Sequence, residues 1–432
     1  MFNLFKDTNF DFDKLKYQNT PSKIVFDAYY IPEDQTCPIC SSSNYSKNGY
    51  KIKTVKHCIY YSKIVIVKCH IQGYVCKDCK SFFYEKDTFS NYNENISKES
   101  IDVILKMLKY NNETFESVAR DLHISRQLVI NIFDKYFNYT PPVLPEILSF
   151  DEKHINKKLT DNAYIFIILD FLNIKIYDIV FSRHKYKLEK YFSRIPLKER
   201  ENVKYITMDM WETYLDISKR YFKNALVAID SFHVMRLVNN AMDTIRKIVM
   251  QKYNNKAEDI FYNDPYYYLL KKYRHYFLKE FDDITEGRFY NPKMKMYFTK
   301  HSLLQYMLDI DNTLKKAYYL TSKYREFNKT ANITNCKEEF EAIIDLFYDS
   351  NIKQFIDVAI TLENWKEYIL NSFILVENTL VTSKNKSNKR RLSNGPIEGI
   401  NSIIEKINLN GNGYTNFYRF RNRCIYVINS NK

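Results

Sequence analysis

Glycine is scarce in this chain, with seven among 432 residues. That scarcity argues against Gly-rich loops that cradle nucleotide phosphates, and neither GxxxxGK[ST] nor GxGxxG occurs. A signal-peptide core is also missing, because MFNLFKDTNFDFDKLKY holds no apolar run of the required length. The most apolar stretch, Ala163–Phe181, is broken by Asp170, Asn173, Lys175 and Asp178, so it is no membrane span. These absences lead to the expectation of a soluble, cytoplasmic protein that does not sit in a membrane.

What is present is charge. The formal net charge is +14, spread through the chain, which favours a polyanionic partner, nucleic acid first. A hydrophobic content of 45% excludes wholesale disorder, and the length allows two or three ordinary cores.

Eight cysteines without an export signal suggest metal rather than disulfides. Cys37-Pro-Ile-Cys40 and Cys76-Lys-Asp-Cys79 form two CxxC pairs with 35 residues between them. Each tight turn can place two thiolates on one ion, and two such knuckles complete a four-cysteine zinc site. Alternation over Tyr50–His57 and Ile59–Ile71 predicts a hairpin between them, as in a zinc ribbon. Cys58, Cys69, Cys336 and Cys424 lack such spacing and read as buried small apolar residues.

A helical region follows. Phe115, Val118, Ala119 and Leu122 share one helix face; Ser125 is placed to cap a second helix bearing Leu128, Val129, Ile132 and Phe133. A short helix, a tight turn and a second helix that exposes Arg126 and Gln127 near its start resemble a helix-turn-helix. The prolines of Thr140-Pro-Pro-Val-Leu-Pro145 then mark a domain boundary.

Beyond it, strands are expected over Glu146–His154, Ala163–Asn173 and Lys175–Arg183, with a helix over Lys187–Arg200. Two strand-helix units come next, with Asp209 after Val203–Thr207 and Asp230 after Ala225–Ile229. Three consecutive strands followed by helix-strand units is the topology of an RNase H-like fold. Carboxylates just past the ends of such strands sit where open α/β sheets place their chemistry; the plainer role of Asp209 and Asp230 is helix capping. His233 lies three residues past Asp230. From Val234 to about Leu380 the chain reads as a helical, aromatic-rich insertion. A basic run, Lys384-Asn-Lys386-Ser-Asn-Lys389-Arg390-Arg391, is either a solvated loop or a phosphate contact. In the tail, Glu398 falls in the first turn of a helix opened by Pro396, and Arg419, Arg421 and Arg423 follow among aromatics.

Taken with the cysteine knuckles and Asp151-Glu152, the motifs MDMWETY (208–214), AIDSFHVMRLVNNAMD (228–243), SNGPIEGINSIIEKI (393–407) and GYTNFYRFRNR (413–423) resemble the DDE-class insertion-sequence transposases of the ISL-three family. Two positions depart from that family's pattern: Lys153 stands where an aromatic usually follows the acidic pair, and Ser231 stands in a usually basic position.

The resemblance implies metal-dependent phosphoryl transfer on DNA, with Asp151, Asp209 and Glu398 holding two Mg²⁺ ions (Mn²⁺ can substitute), and one structural Zn²⁺ on the four cysteines. Asp230 and His233 are expected to support the site. Double-stranded DNA, as terminal inverted repeats and target, is the implied partner, bound by a homodimer at the bacterial nucleoid. Expected contacts are Arg126, Gln127, Lys384, Lys386, Lys389, Arg390, Arg391, Arg419 and Arg421. The implied layout is a zinc ribbon over 1–95, a helix-turn-helix over 96–139, the RNase H-like core over 146–239, a helical insertion over 240–390, and the core's last part over 391–432. Two other readings stay open: an inactive transposase-derived DNA-binding protein, and a structure-specific nuclease on the same fold.

Overall fold

The strand signals around the CxxC pairs produce more sheet than a hairpin. A computed structural model describes the chain except residues 1–4, 6–7, 59–62, 156–158, 161–162, 282–283, 285–286, 378–387 and 431–432. In it, β1 (Lys16–Asn19), β2 (Lys23–Tyr29), β3 (Tyr45–Lys56), β4 (Ile64–Cys76) and β5 (Phe82–Tyr84) form one five-stranded sheet. The expected hairpin is β3 paired antiparallel with β4, while β2 lies parallel on the other side of β4. The alternation that buries Phe26 and Ala28 of β2 against Val65, Val67 and Cys69 of β4 explains the addition. Cys58, Cys69, Cys336 and Cys424 are buried, as their lack of ligand spacing predicts.

Three helices follow: α1 (Lys98–Met107), α2 (Phe115–Asp121) and α3 (Arg126–Tyr136). Each has a hydroxyl cap. Ser97 and Ser125 accept backbone N–H groups of α1 and α3, and Thr114 forms a capping box with Ser117 on α2. His123 takes a left-handed backbone (φ 53°) in the turn before α3.

After the prolines comes a second sheet, of β6 (Ile147–His154), β7 (Tyr164–Asp170), β8 (Lys175–Val180), β9 (Tyr205–Met208) and β10 (Leu226–Ile229), ordered β10-β9-β6-β7-β8. The first three strands meander antiparallel; β9 then runs parallel to β6, and β10 parallel to β9. The single helix expected over 187–200 is broken by Pro196 into α4 (Lys185–Phe192) and α5 (Leu197–Glu201). Between β9 and β10 lies α6 (Glu212–Tyr221), and after β10 the 21-residue α7 (Ser231–Gln251).

The insertion is mostly helical. It contains α8 (Pro265–Lys272), a hairpin of β11 (Arg288–Asn291) and β12 (Met296–Thr299), then α9 (Lys300–Leu308), α10 (Asn312–Thr330), α11 (Cys336–Tyr348), α12 (Lys353–Asn364) and α13 (Lys366–Asn371). It does not stand apart. Leu148, Phe150, Ile206 and Met208 of the sheet share one hydrophobic core with Leu269, Leu303, Tyr324 and Phe355 of the insertion. Asn371 also donates to the Val227 carbonyl of edge strand β10, at 2.8 Å.

The chain re-enters through β13 (Leu375–Glu377) and β14 (Lys389–Arg391), then α14 (Gly395–Asn410) and α15 (Phe417–Ser430). The described residues divide into two compact units: Met1–Thr140 with Ile155–Leu159 and Asn401–Lys432, and Pro141–His154 with Thr160–Ile400. Segment 391–432, expected to complete the catalytic core in one piece, is therefore shared. Glu398 stays with the sheet, and the chain from Asn401 folds with the N-terminal unit.

Arg423 shows why. It is buried on α15 and donates to the carbonyls of Leu108, Tyr110 (2.9 Å) and Glu113 (2.8 Å), at the end of α1 and in the turn that follows it. Tyr426 adds a bond to the Leu105 carbonyl (2.8 Å) and packs on Phe133 and Phe137. Arg423→Met should lower stability by about 2–4 kcal/mol, since it strands buried carbonyls. A fragment of residues 1–140 should melt lower, and less cooperatively, than the same fragment co-expressed with 401–430. Equal melts would mean that α15 adds nothing to this unit.

Candidate active site and metal centres

Parallel pairing sets the geometry of the second unit's acids. Ser149 pairs with Thr207 across β6 and β9, and Met208 with Ile229 across β9 and β10. Continuing both registers puts Asp151, Asp209 and Asp230 level on three adjacent strands, each about 4.8 Å from the next. With a side-chain period of two, Ser149 and Asp151 share a face, as do Thr207 and Asp209. The Ser149 and Thr207 hydroxyls confirm that face by meeting at 2.6 Å.

Asp209 is central in that row. His233 Nε2 lies 3.0 Å from Asp209 Oδ2, and His233 Nδ1 lies 3.5 Å from Asp230 Oδ2. Asp209, first, and then Asp230 push the imidazole up to about 9. Asp230 is buried at the N-cap position of α7, yet its side chain caps nothing there. The capping role expected for it is therefore corrected: Oδ1 accepts from the Asn394 backbone N–H at 3.0 Å, which takes it away from its own helix. Asp209 is no cap either, because Trp211 occupies the N-cap of α6. Glu398, in the first turn of α14, has its carboxyl raised by burial, then by Asp230, with Asp209 adding and His233 opposing.

Ligand atoms of Asp209, Asp230 and His233 all lie within 4.8 Å of one another, and neither Asp151 nor Glu398 joins that set. The Asp230 Oδ2 and His233 Nδ1 atoms are buried without a hydrogen-bond partner. The carboxylate oxygens of Asp209 and Asp230, which stand close enough to repel one another, fit a divalent cation. Glu152, beside Asp151, faces elsewhere. It accepts from Arg183 (2.8 Å) and from the Tyr214 hydroxyl, while Arg183 stacks 3.7 Å over the Tyr164 ring. That strut ties α6 to β6 and gives Tyr214 of the MDMWETY stretch a structural role.

In the first unit the four cysteine sulfurs also lie within 4.8 Å of one another. Cys37 Sγ is 3.5 Å from Cys79 and Cys40 Sγ 3.6 Å from Cys76, which suits zinc bonds of about 2.3 Å and a tetrahedral edge of about 3.8 Å. The two knuckles repeat one backbone design. Ser41 N–H donates to the Cys37 carbonyl and Lys80 N–H to the Cys76 carbonyl, with φ of 58° and 61° at those residues. The Ser81 hydroxyl lies 3.1 Å from Cys37 and 2.9 Å from Cys79 and draws both thiols below their usual range, Cys37 to about 6. Against the pull of the Ser42 backbone N–H, the sulfur of Cys79, burial and the sulfurs of Cys76 and Cys37 push Cys40 up to about 12, so only the Ser81 side of the cluster favours thiolate, the form that binds zinc.

A protein-family model described as Transposase, that of the ISL-three DDE group, matches residues 148–424, well over half of the chain. The chain belongs to this transposase family. Comparison with curated proteins gave no match. Among the described residues, no helix is long and apolar enough to cross a membrane.

The structure sorts the basic residues expected of a DNA-binding transposase. Arg126 and Gln127 are exposed on the first turn of α3, where Gln127 donates to Asn131 at 2.7 Å. Lys389 lies exposed on β14, and Lys384 and Lys386 fall outside the described residues. Arg390 and Arg391, expected as DNA contacts, are half-buried and engaged with the protein itself. Arg390 donates to the Phe171 carbonyl and stacks over that ring (4.0 Å); Arg391 donates to the Asn328 carbonyl at 2.8 Å and stacks over Phe373 (3.7 Å). Burial explains the turn inward, because their aliphatic stems and planar heads cover apolar surface. Arg419 is paired with Asp134 at 2.6 Å, and Arg421 reaches the Tyr139 carbonyl at 3.3 Å. Two residues at the acidic site escaped the sequence reading, Asn394 and Thr207. Their only signal was position, beside Glu398 and Asp209.

Metal analysis of the purified chain should return about one zinc. Cys37→Ser with Cys76→Ser should release it, lowering the melt of the first unit and leaving that of the second in place. Zinc retained by the double variant would remove the assignment.

Proposed function

We propose that this transposase is a metal-dependent DNA phosphoryl-transfer enzyme that binds terminal inverted repeats, cleaves at them and joins the ends to target DNA, acting as a homodimer on DNA. The observation that carries the proposal is the level row of Asp151, Asp209 and Asp230 obtained by continuing the pairing of three neighbouring strands, with Glu398 close enough to feel the charge of Asp230 and Asp209. The order β10-β9-β6-β7-β8, an antiparallel meander continued by parallel strands, supports an RNase H-like reading of the sheet. The capped pair α2 and α3, with Arg126 and Gln127 exposed, supports a helix-turn-helix reading in which α3 meets base edges. Lys389 is kept as a phosphate contact; Arg390 and Arg391 are not.

Asp151, Asp209 and Glu398 would hold Mg²⁺ ions, and the hard oxygen donors of this set suit that ion. Bound there, divalent ions supply Lewis-acid stabilisation of the scissile phosphate and lower the pKa of the attacking hydroxyl. The chain's own residues do the positioning. His233 holds one oxygen of Asp209 in place, and Asp230 braces His233 from behind. Strand order alone does not choose the partner of Asp209, since Asp151 and Asp230 both lie one strand away. Burial does favour Asp151: it is half-buried, whereas Asp230 is buried and committed to Asn394.

A strand-transfer assay with terminal-repeat DNA separates the readings into joining, cutting alone, or binding alone, and joining is the expected result. Asp209→Asn should abolish metal-dependent cleavage with DNA binding retained. Asp230→Asn should act mainly by lowering the melt. Cleavage that persists in Asp209→Asn and disappears in a well-folded Asp230→Asn would overturn the assignment.

Glu398→Gln should likewise abolish cleavage, and it carries a signed pH signature. A carboxyl raised in the folded state costs stability once it ionises, so the metal-free variant should melt above the parent at pH 7. That gain should vanish as pH falls through the carboxylate range, where the parent's Glu398 is protonated. A variant that melts below the parent at pH 7 would show that Glu398 is not under repulsion.

A further inference from the structure

Asn394 sits four residues before Glu398 and is almost wholly buried. It holds the N-cap position of α14, with its carbonyl accepting from Ile397 N–H (3.0 Å) and Glu398 N–H (3.2 Å). Asparagine is a favoured cap because its side chain can accept from its own helix. Here the side chain turns away from the helix and into the sheet. Nδ2 donates to the Phe150 carbonyl at 3.0 Å and to Asp209 Oδ1 at 3.1 Å. Oδ1 accepts from the Thr207 hydroxyl at 2.7 Å, and the backbone N–H donates to Asp230 Oδ1 at 3.0 Å. One residue thus reaches β6, β9 and the end of β10.

The amide can sit only one way round. Reversed, its oxygen would face two acceptors, the Phe150 carbonyl and the Asp209 carboxylate. Thr207 spends its hydrogen on Asn394, so it takes a hydrogen from Ser149 Oγ, 2.6 Å away. The buried relay Ser149–Thr207–Asn394–Asp209 is therefore directional, and each of its hydroxyl and amide hydrogens has a partner. Neither aspartate nor leucine, the residues nearest in shape, can both donate twice and accept once.

We propose that Asn394 is a positioning residue for the metal-binding carboxylates: its side chain fixes the plane of Asp209, and its backbone delivers Glu398 to the same end of the sheet. The inference rests on the transposase reading above. The partners of Asn394 lie 164 to 244 positions away in sequence, so this residue fastens the returning chain to the strands that bear the first two acids. Second-sphere contacts of this kind typically hold 10–100-fold of a site's metal affinity.

The test measures Mn²⁺ binding to the full-length protein without DNA, by the loss of the free-ion electron paramagnetic signal, beside thermal melts. Asn394→Ala should weaken Mn²⁺ binding about ten-fold or more. Thr207→Val, which removes only the hydroxyl that orients the amide, should weaken it by less. Because Thr207 acts through Asn394, the double variant should bind Mn²⁺ no worse than Asn394→Ala alone. A purely structural role would lower the melts, leave Mn²⁺ affinity unchanged, and overturn the proposal. Should Asn394→Ala not fold, Thr207→Val decides alone: unchanged affinity overturns the proposal and reduced affinity supports it. A parent protein that binds no Mn²⁺ would remove the metal reading itself, an outcome distinct from a parent that binds and an Asn394→Ala variant that binds equally well.

Discussion

The register of three parallel strands is the constraint on which the rest of this structure depends. Once Ser149 lies opposite Thr207 and Met208 opposite Ile229, the three aspartates must end level and on one face. A slip of one residue on any strand would turn its carboxylate to the other face and its apolar residues out of the core. The hydrophobic interior that buries Leu148, Phe150, Ile206, Met208 and Ile229 therefore sets the spacing of the acids as well. Fold stability and site geometry are the same restraint here. Substitutions in these strands that leave every carboxylate in place can still disable the site.

The second constraint is the long excursion of the chain between Asp230 and Asn394. Loop-closure entropy grows only with the logarithm of length, so a separation of 164 positions is a modest burden if the ends are fastened. The insertion fastens them in two ways. Its helices share the core beneath the sheet, and Asn371 satisfies a carbonyl on edge strand β10. Arg390 and Arg391 then anchor the returning strand through backbone carbonyls and aromatic faces. Charge that reads in sequence as a DNA contact has been used to bring Glu398 home.

Such exchanges explain which features were legible in the sequence. The strands that bear the acids are legible as apolar runs, β9 and β10 each followed by a single aspartate and β6 carrying the pair Asp151-Glu152, and the cysteine cluster is legible because metal chemistry dictates ligand spacing. Asp230 looked like a helix cap because Asp before a helix usually is one; only the distant Asn394 backbone, invisible in local sequence, takes that oxygen away. Strands β1 and β2 are less legible because β1 is short and wholly exposed and neither shows a marked apolar alternation in its sequence. The division of 391–432 between two units hinges on Arg423, whose partners are main-chain carbonyls and so carry no residue signature. Side chains that recognise backbone are, in general, the part of a fold that a single sequence hides.

The two candidate metal centres differ in a way their surroundings explain. The cysteine cluster is closed: four sulfurs surround one point, and the Ser81 hydroxyl stabilises thiolate before any ion arrives. Such a site stabilises the folded unit and leaves no position for substrate. The acidic site is built the opposite way. The carboxylates of Asp209 and Asp230 stand close enough to repel one another, and Glu398 is held where burial and Asp230 both oppose its ionisation. Each feature costs stability in the metal-free protein, as is common where a fold is held ready for chemistry. A cation shared with a DNA phosphate would offset the repulsion among the acids, so this arrangement ties the relief of strain at the site to the arrival of metal and substrate together.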